Sequence, residues 1–137
     1  MLNMAALKDL PSEAANVFGG KACGLARLIS AGAKVPQGFA VEATTMLPDQ
    51  WAEAERESFL LRAAELIKRG PLAVRSSAVG EDSAERSFAG LFDTVLRIHT
   101  PEDALAGAAR CIASGRSSRV FEYAKTASPV SVGLVVQ

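Results

Sequence analysis

Histidine is nearly absent from this chain: among 137 residues there is one, His99, beside two cysteines, one tryptophan and one tyrosine. A site built on imidazoles and thiolates needs more ligands than that, and Cys23 and Cys111 have no metal-ligand spacing. Both sit in apolar helical contexts, which predicts buried reduced thiols and a cytoplasmic location. His99 falls at a strand end beside a helix start, where a histidine is structural more often than catalytic. Net charge is lacking too, since fifteen basic and fifteen acidic residues cancel. Nothing in the overall charge therefore asks for a nucleic acid or an anionic membrane, and any affinity for phosphate must be local. No apolar run approaches the length of a membrane span, and the opening MLNMAALKDLPSEAA lacks the basic-then-apolar layout of a secretory signal.

What is present is the balance of one globular domain: 49% hydrophobic and 22% charged residues. Its most informative stretch is 73–96, AVRSSAVGEDSAERSFAGLFDTVL, two strand-like apolar runs joined by a long polar loop. Small residues let a backbone approach a ligand closely, hydroxyls donate hydrogen bonds, and Arg75 and Arg86 bring fixed positive charge. That mixture suits a phosphate. The run ending in Val74 predicts a central strand that delivers Arg75 at its end, where α/β proteins favour ligand sites. Beyond the loop, Phe92, Thr94, Leu96 and Ile98 alternate with polar neighbours and predict a strand with those four on its apolar face.

Earlier in the chain, residues 1–15 carry too little pattern for an element and read as an extended lead-in. The spacing of Ala22, Leu25, Leu28 and Ile29 predicts a helix over 21–31 that stops at Gly32. Gly19, Gly20 and Lys21 then fall at its amino end, where free N–H groups and the helix dipole favour an anion; the alternative is a tight turn with a solvated lysine. Phe39 and Val41 share one face of a short strand entered through Pro36. Residues 49–69 form the plainest helix, with Phe59, Ala63, Leu66 and Ile67 inward, Gly70 and Pro71 as its stop, and Trp51 as a core anchor near its start. Thr100, Pro101, Glu102 and Asp103 give a helix start with hydroxyl cap, proline and acids in place, running to about Ser114. A further helix is predicted over 117–125, with Arg116 and Arg119 near its beginning, either as surface charge or reaching the same anion site. The closing VSVGLVVQ is an apolar strand with no polar ending, where a domain seldom finishes, which predicts a truncated domain. These elements predict a two-layer α/β (α+β) domain with a mixed sheet and flanking helices.

Three separated blocks together resemble the phosphoenolpyruvate synthase and pyruvate phosphate dikinase family. They are Gly19-Gly20-Lys21-Ala22 with GLARLISAGAKVPQGFAV, then AVRSSA with Glu81-Asp82, SFAG and Asp93-Thr94, and the closing VGLVVQ. The resemblance implies the amino-terminal lobe of an ATP-grasp-type domain, in which two lobes hold ATP and pass phosphate to a histidine on a swivelling domain. By position it implies that Lys21, Arg75 and Arg119 contact ATP phosphates, and that the segment 87–94, with Ser87, Gly90, Asp93 and Thr94, closes over them. It also implies Mg²⁺ whose ligands lie mainly in a second lobe. The phosphohistidine and pyruvate domains of the same polypeptide would be further partners. Glu81 and Asp82 read as solvated acids rather than as a metal site. The chain departs from the family pattern at Arg27, where a glycine is common, and at Phe92, where glutamine or histidine often stands. Rifampicin phosphotransferases share the same blocks, and a stand-alone interaction module is the expectation from a different class.

Overall fold

The computed structural model describes residues 2–11, 13–79, 93–116 and 130–137. The elements in chain order are β1 (Met4–Ala6), α1 (Ala15–Phe18), α2 (Gly20–Ser30), β2 (Phe39–Thr44), α3 (Glu53–Ile67), β3 (Leu72–Ala78), β4 (Thr94–Ile98), α4 (Pro101–Ser114) and β5 (Val132–Val136). The five strands make one sheet in the order β1-β2-β5-β3-β4. Every pairing in it is antiparallel, where a mixed sheet was expected. The central strand is β5, not β3, which lies between β5 and the edge strand β4. The lead-in is not featureless either: Met4–Ala6 pairs with β2 and closes the opposite edge.

Alternation along the strands sorts the core into two. Phe39 and Val41 of β2, Leu72 and Val74 of β3, and Leu134 and Val136 of β5 face α3 and α4. Ala40 and Val135 face the other way, onto α1, α2 and the turn at Leu7. Helices therefore cover both faces, giving three layers rather than two while leaving the α/β class and its flanking helices as expected. On the first face Trp51 is buried, its ring edge-on to Phe59 at 5.9 Å and its Nε1 donating to Met46 O at 3.0 Å. On the second, α2 buries Ala22, Cys23 and Ala26, small residues that let it lie close to the sheet; Leu28, expected inward, is half exposed.

The helix starts follow their sequences. Thr100 Oγ1 accepts the Asp103 amide at 3.1 Å, as the Thr-Pro-acid pattern predicts. At α3 the capping residue is Ala52, which has no side-chain oxygen, and Glu55 reaches back to accept the Ala52 N–H at 2.8 Å. Its second oxygen takes the Leu2 N–H, tying the start of the chain to this helix. Those two amides, Ala52 first, hold the Glu55 carboxyl below its ordinary value. A carboxyl lowered by folding contributes stability above its unfolded pKa and loses it as pH falls through the folded one. Glu55→Gln is therefore expected to lower stability near neutrality and to flatten the loss on acidification, as read from urea midpoints between neutral pH and the carboxylate range.

Strand β4 departs from its predicted alternation. Val95 pairs with Val74 and Ile98 with Leu72, so three steps on β4 match two on β3. The extra residue is a bulge at Leu96 and Arg97, with Arg97 at φ 58°, the left-handed position that glycine usually fills. The bulge swaps faces: Val95 packs against the α3–α4 core and Leu96 is 61% exposed. Val95→Ala should cost about 1 kcal/mol and Leu96→Ala under about 0.5 kcal/mol in chemical denaturation. The unbulged register requires the opposite order.

Candidate nucleotide phosphate site

Strand β3 continues through Ser76 and Ser77 to Ala78 instead of handing over to a loop at Arg75. Its polar end is a strand because both serines there have strand-compatible partners. Ser76 and Ser77 pair with Leu134 and Gly133 of β5, and both side chains are buried. Consecutive side chains on a strand point to opposite faces, so the two serines serve different sides. Ser76 Oγ donates to Asp93 O at 2.7 Å, on the α4 side. Ser77 Oγ accepts the Ala22 N–H at 3.0 Å, on the α2 side.

Arg75 shares its face with Ser77, since it pairs with Val135, which belongs to the α1–α2 core. Its guanidinium Nε is buried and has no hydrogen-bond partner among the described residues. Leaving such a donor unsatisfied costs about 1–3 kcal/mol, so a site that keeps one is suited to an incoming acceptor. Thr94 is opposite Arg75 in register, exposed on the β4 edge. Lys21 occupies the first turn of α2, the helix whose start rests on β3. Gly19 makes this seat possible: it lies at φ 87°, and a Cβ there would overlap the Ser77 carbonyl and hydroxyl. The tight turn at Gly19 is thus what seats the amino end of α2 on β3. The Ala22 amide is already donated to Ser77, so it is not among the N–H groups free for a ligand.

Of the other residues expected at this site, Asp93 is directed elsewhere. Its carboxylate takes Arg110 Nε at 2.9 Å, a partly exposed pair on the α4 side, across the sheet from Arg75. Its backbone is fixed as well, with its carbonyl accepting from Ser76 and from Cys111 Sγ and its N–H donating to Ser114 Oγ. Ser87, Gly90 and Arg119, with Glu81 and Asp82, lie outside the described residues. Cys111 is buried and burial raises its thiol above the ordinary range; Cys23 shifts the same way for the same reason. Among the described residues no three of histidine, cysteine, aspartate and glutamate are grouped to hold a metal ion, and no helix is long and apolar enough to cross a membrane. A cavity of about 560 Å³ between Leu7, Ile29, Phe39 and Arg62 is at the far end of α2 from Lys21. It is remote from the cationic pair.

Residues 45–137 match the family model described as pyruvate phosphate dikinase, AMP/ATP-binding domain. The chain belongs to this family. The matching model is an AMP/ATP-binding domain, which supports a nucleotide as the ligand of the domain, and the chain is part of a phosphotransferase family. Among curated relatives it is 31% identical to the prodigiosin synthesizing transferase PigC of Serratia marcescens, over 88% of this chain and 16% of that protein. It is 30% identical to the uncharacterized phosphotransferase YvkC of Bacillus subtilis, over 91% of this chain and 18% of that protein. A probable phosphoenolpyruvate synthase of Staphylothermus marinus is 29% identical over 85% of this chain and 20% of that protein. The chain thus spans 16–20% of the length of these relatives.

What the sequence reasoning missed in this dikinase domain is Ser77. Its signal was available in the adjacent pair Ser76-Ser77 following an apolar run, since adjacent strand residues serve opposite faces. Reading both hydroxyls as loop donors hid it.

Proposed function

We propose that residues 1–137 form the amino-terminal lobe of an ATP-grasp-type nucleotide-binding domain in a phosphoenolpyruvate synthase-like phosphotransferase. The complete enzyme would convert ATP, pyruvate and water to phosphoenolpyruvate, AMP and phosphate through a phosphohistidine. The observation that carries this reading is the buried Nε of Arg75, unpartnered among the described residues, on the sheet face covered by α2, whose first turn holds Lys21. Phosphoryl transfer depends on positioning and on neutralising charge spread over phosphate oxygens, and ATP supplies the phosphoryl group. Arg75 offers a planar fork and Lys21 a mobile point charge to those oxygens. Thr94 lies at the same face, and Ser87, Gly90 and Arg119, outside the described residues, are the further proposed phosphate contacts.

Mg²⁺ would arrive with the nucleotide and take its protein ligands in the second lobe, because the nearby carboxylate, Asp93, is committed to Arg110. The second lobe, the phosphohistidine domain and the pyruvate domain are the proposed partners within one polypeptide. The relatives' names span a prodigiosin-synthesizing transferase and a phosphoenolpyruvate synthase, which supports an acceptor chosen outside this lobe. Two buried free thiols support a reducing, cytoplasmic compartment.

The test is an ATP titration of the isotope-labelled chain followed by amide shifts. ATP is expected to bind weakly and to move the amides of Gly19 to Ala22 and of Arg75, while adenosine leaves them unmoved and no phosphate is turned over. Shifts confined to the cavity at the other end of α2, or turnover by these 137 residues alone, would overturn the reading.

A further inference from the structure

We infer that Ser77 is the positioning residue of the nucleotide site: it fixes the Lys21 end of α2 against the strand that carries Arg75. This rests on the nucleotide reading of the Arg75 face. The two cationic side chains belong to elements far apart in the chain, a helix start and a strand, and nothing in either element alone sets their separation. Ser77 joins them. It is fully buried, two residues from Arg75 on the same strand face, and its Oγ accepts the Ala22 N–H at 3.0 Å. Ala22 directly follows Lys21, and its N–H is one of the amides a helix leaves without an internal partner. Gly19, the capping residue of α2, has no side chain to satisfy it, so the cap is supplied from another element.

Three surrounding features make this joint rigid. The Ser77 backbone pairs with Gly133 in the central strand, so the hydroxyl is mounted on the best-connected part of the sheet. Gly133 has no room for a side chain: a Cβ there would meet Phe18 O at 2.5 Å and Ser77 O at 2.9 Å. The α1–α2 junction is thereby pressed onto β3 and β5. On the other face Ser76 holds Asp93 O at 2.7 Å, beside the start of β4. The two serines therefore tie the strand around Arg75 to the start of α2 on one face and to the start of β4 on the other. A helix start held this way presents Lys21 at a fixed distance from Arg75, which lowers the ordering cost of binding a phosphate chain.

The test uses Ser77→Ala, with the near-isosteric, weaker acceptor Ser77→Cys as a second variant where Ser77→Ala is too unstable. Without nucleotide, amide hydrogen exchange at Ala22 should speed up in either variant while exchange in α3 stays unchanged. With ATP as the probe, Ser77→Ala should weaken binding about tenfold, the scale of one buried hydrogen bond. In a Lys21→Ala background it should add little, because the loss passes through Lys21. Val95→Ala, comparably destabilising and with its side chain on the opposite face of the sheet from Arg75, should leave ATP affinity unchanged. Unchanged exchange at Ala22, wild-type ATP affinity in Ser77→Ala, or losses that simply multiply with Lys21→Ala would each overturn the positioning role. If the wild-type amides of Gly19 to Ala22 ignore ATP, the nucleotide reading fails and takes this role with it, while exchange at Ala22 still reports the cap.

Discussion

Gly19→Ala is expected to cost the fold about 4 kcal/mol, near the upper end for a single substitution. Two costs add. The residue sits at φ 87° and ψ 164°, a positive-φ extended conformation essentially reserved for glycine, which costs another residue about 1–3 kcal/mol. The added methyl would also overlap the carbonyl and hydroxyl of Ser77. Neither can move aside cheaply, because Ser77 is paired in the sheet and its hydroxyl already holds Ala22. Relief requires lifting the start of α2 from β3, exposing Ala22, Cys23 and Phe18. Gly24, five residues along and within the same helix, is the contrast. Nothing lies within 4 Å of a Cβ there, and alanine is the better helix former by about 1 kcal/mol, so Gly24→Ala should raise the urea midpoint. A Gly19→Ala protein as stable as wild type would mean that α2 does not rest on β3.

Much of this was legible in the chain because local chemistry and tertiary position agreed. The Thr100 cap, the apolar stripe of α3, the Phe39–Val41 face and the stop at Gly32 each depend on residues within a turn or two of one another. The misreadings share a different cause. Met4–Ala6 is a strand only because β2 offers it an edge, and three residues carry no period. The Leu96 side chain points outward because Arg97 adopts an unfavourable φ, which no alternation count registers. Ser76 and Ser77 looked like loop because their partners, Asp93 and Ala22, are 17 and 55 residues away. Among the residues expected at the site, Lys21, Arg75 and Thr94 come to one side of the sheet. Asp93 does not, because Arg110 claims its carboxylate from the α4 side. A ligand set read along one loop cannot show which face each member takes.

Arg75→Ala should separate affinity from stability more sharply than any other change in the molecule. In the nucleotide-free chain the substitution removes a buried Nε that has no partner among the described residues, relieving about 1–3 kcal/mol, and loses the packing of the side-chain stem, a loss of similar size. The net effect on the urea midpoint should therefore lie within about 1 kcal/mol of zero. ATP binding to the chain should meanwhile fall by about 10–100-fold, the worth of a hydrogen bond to a charged group. Arg75→Lys should not restore it, because an ammonium cannot reproduce the Nε donor or the planar fork. In the complete phosphotransferase proposed here, the same change should slow phosphorylation of the histidine by about 10²–10³-fold, while the pyruvate half-reaction proceeds nearly unchanged. Equal loss in both half-reactions would make Arg75 structural. So would a large drop in stability without nucleotide, since an arginine held for the fold alone would not keep its Nε buried and unpaired.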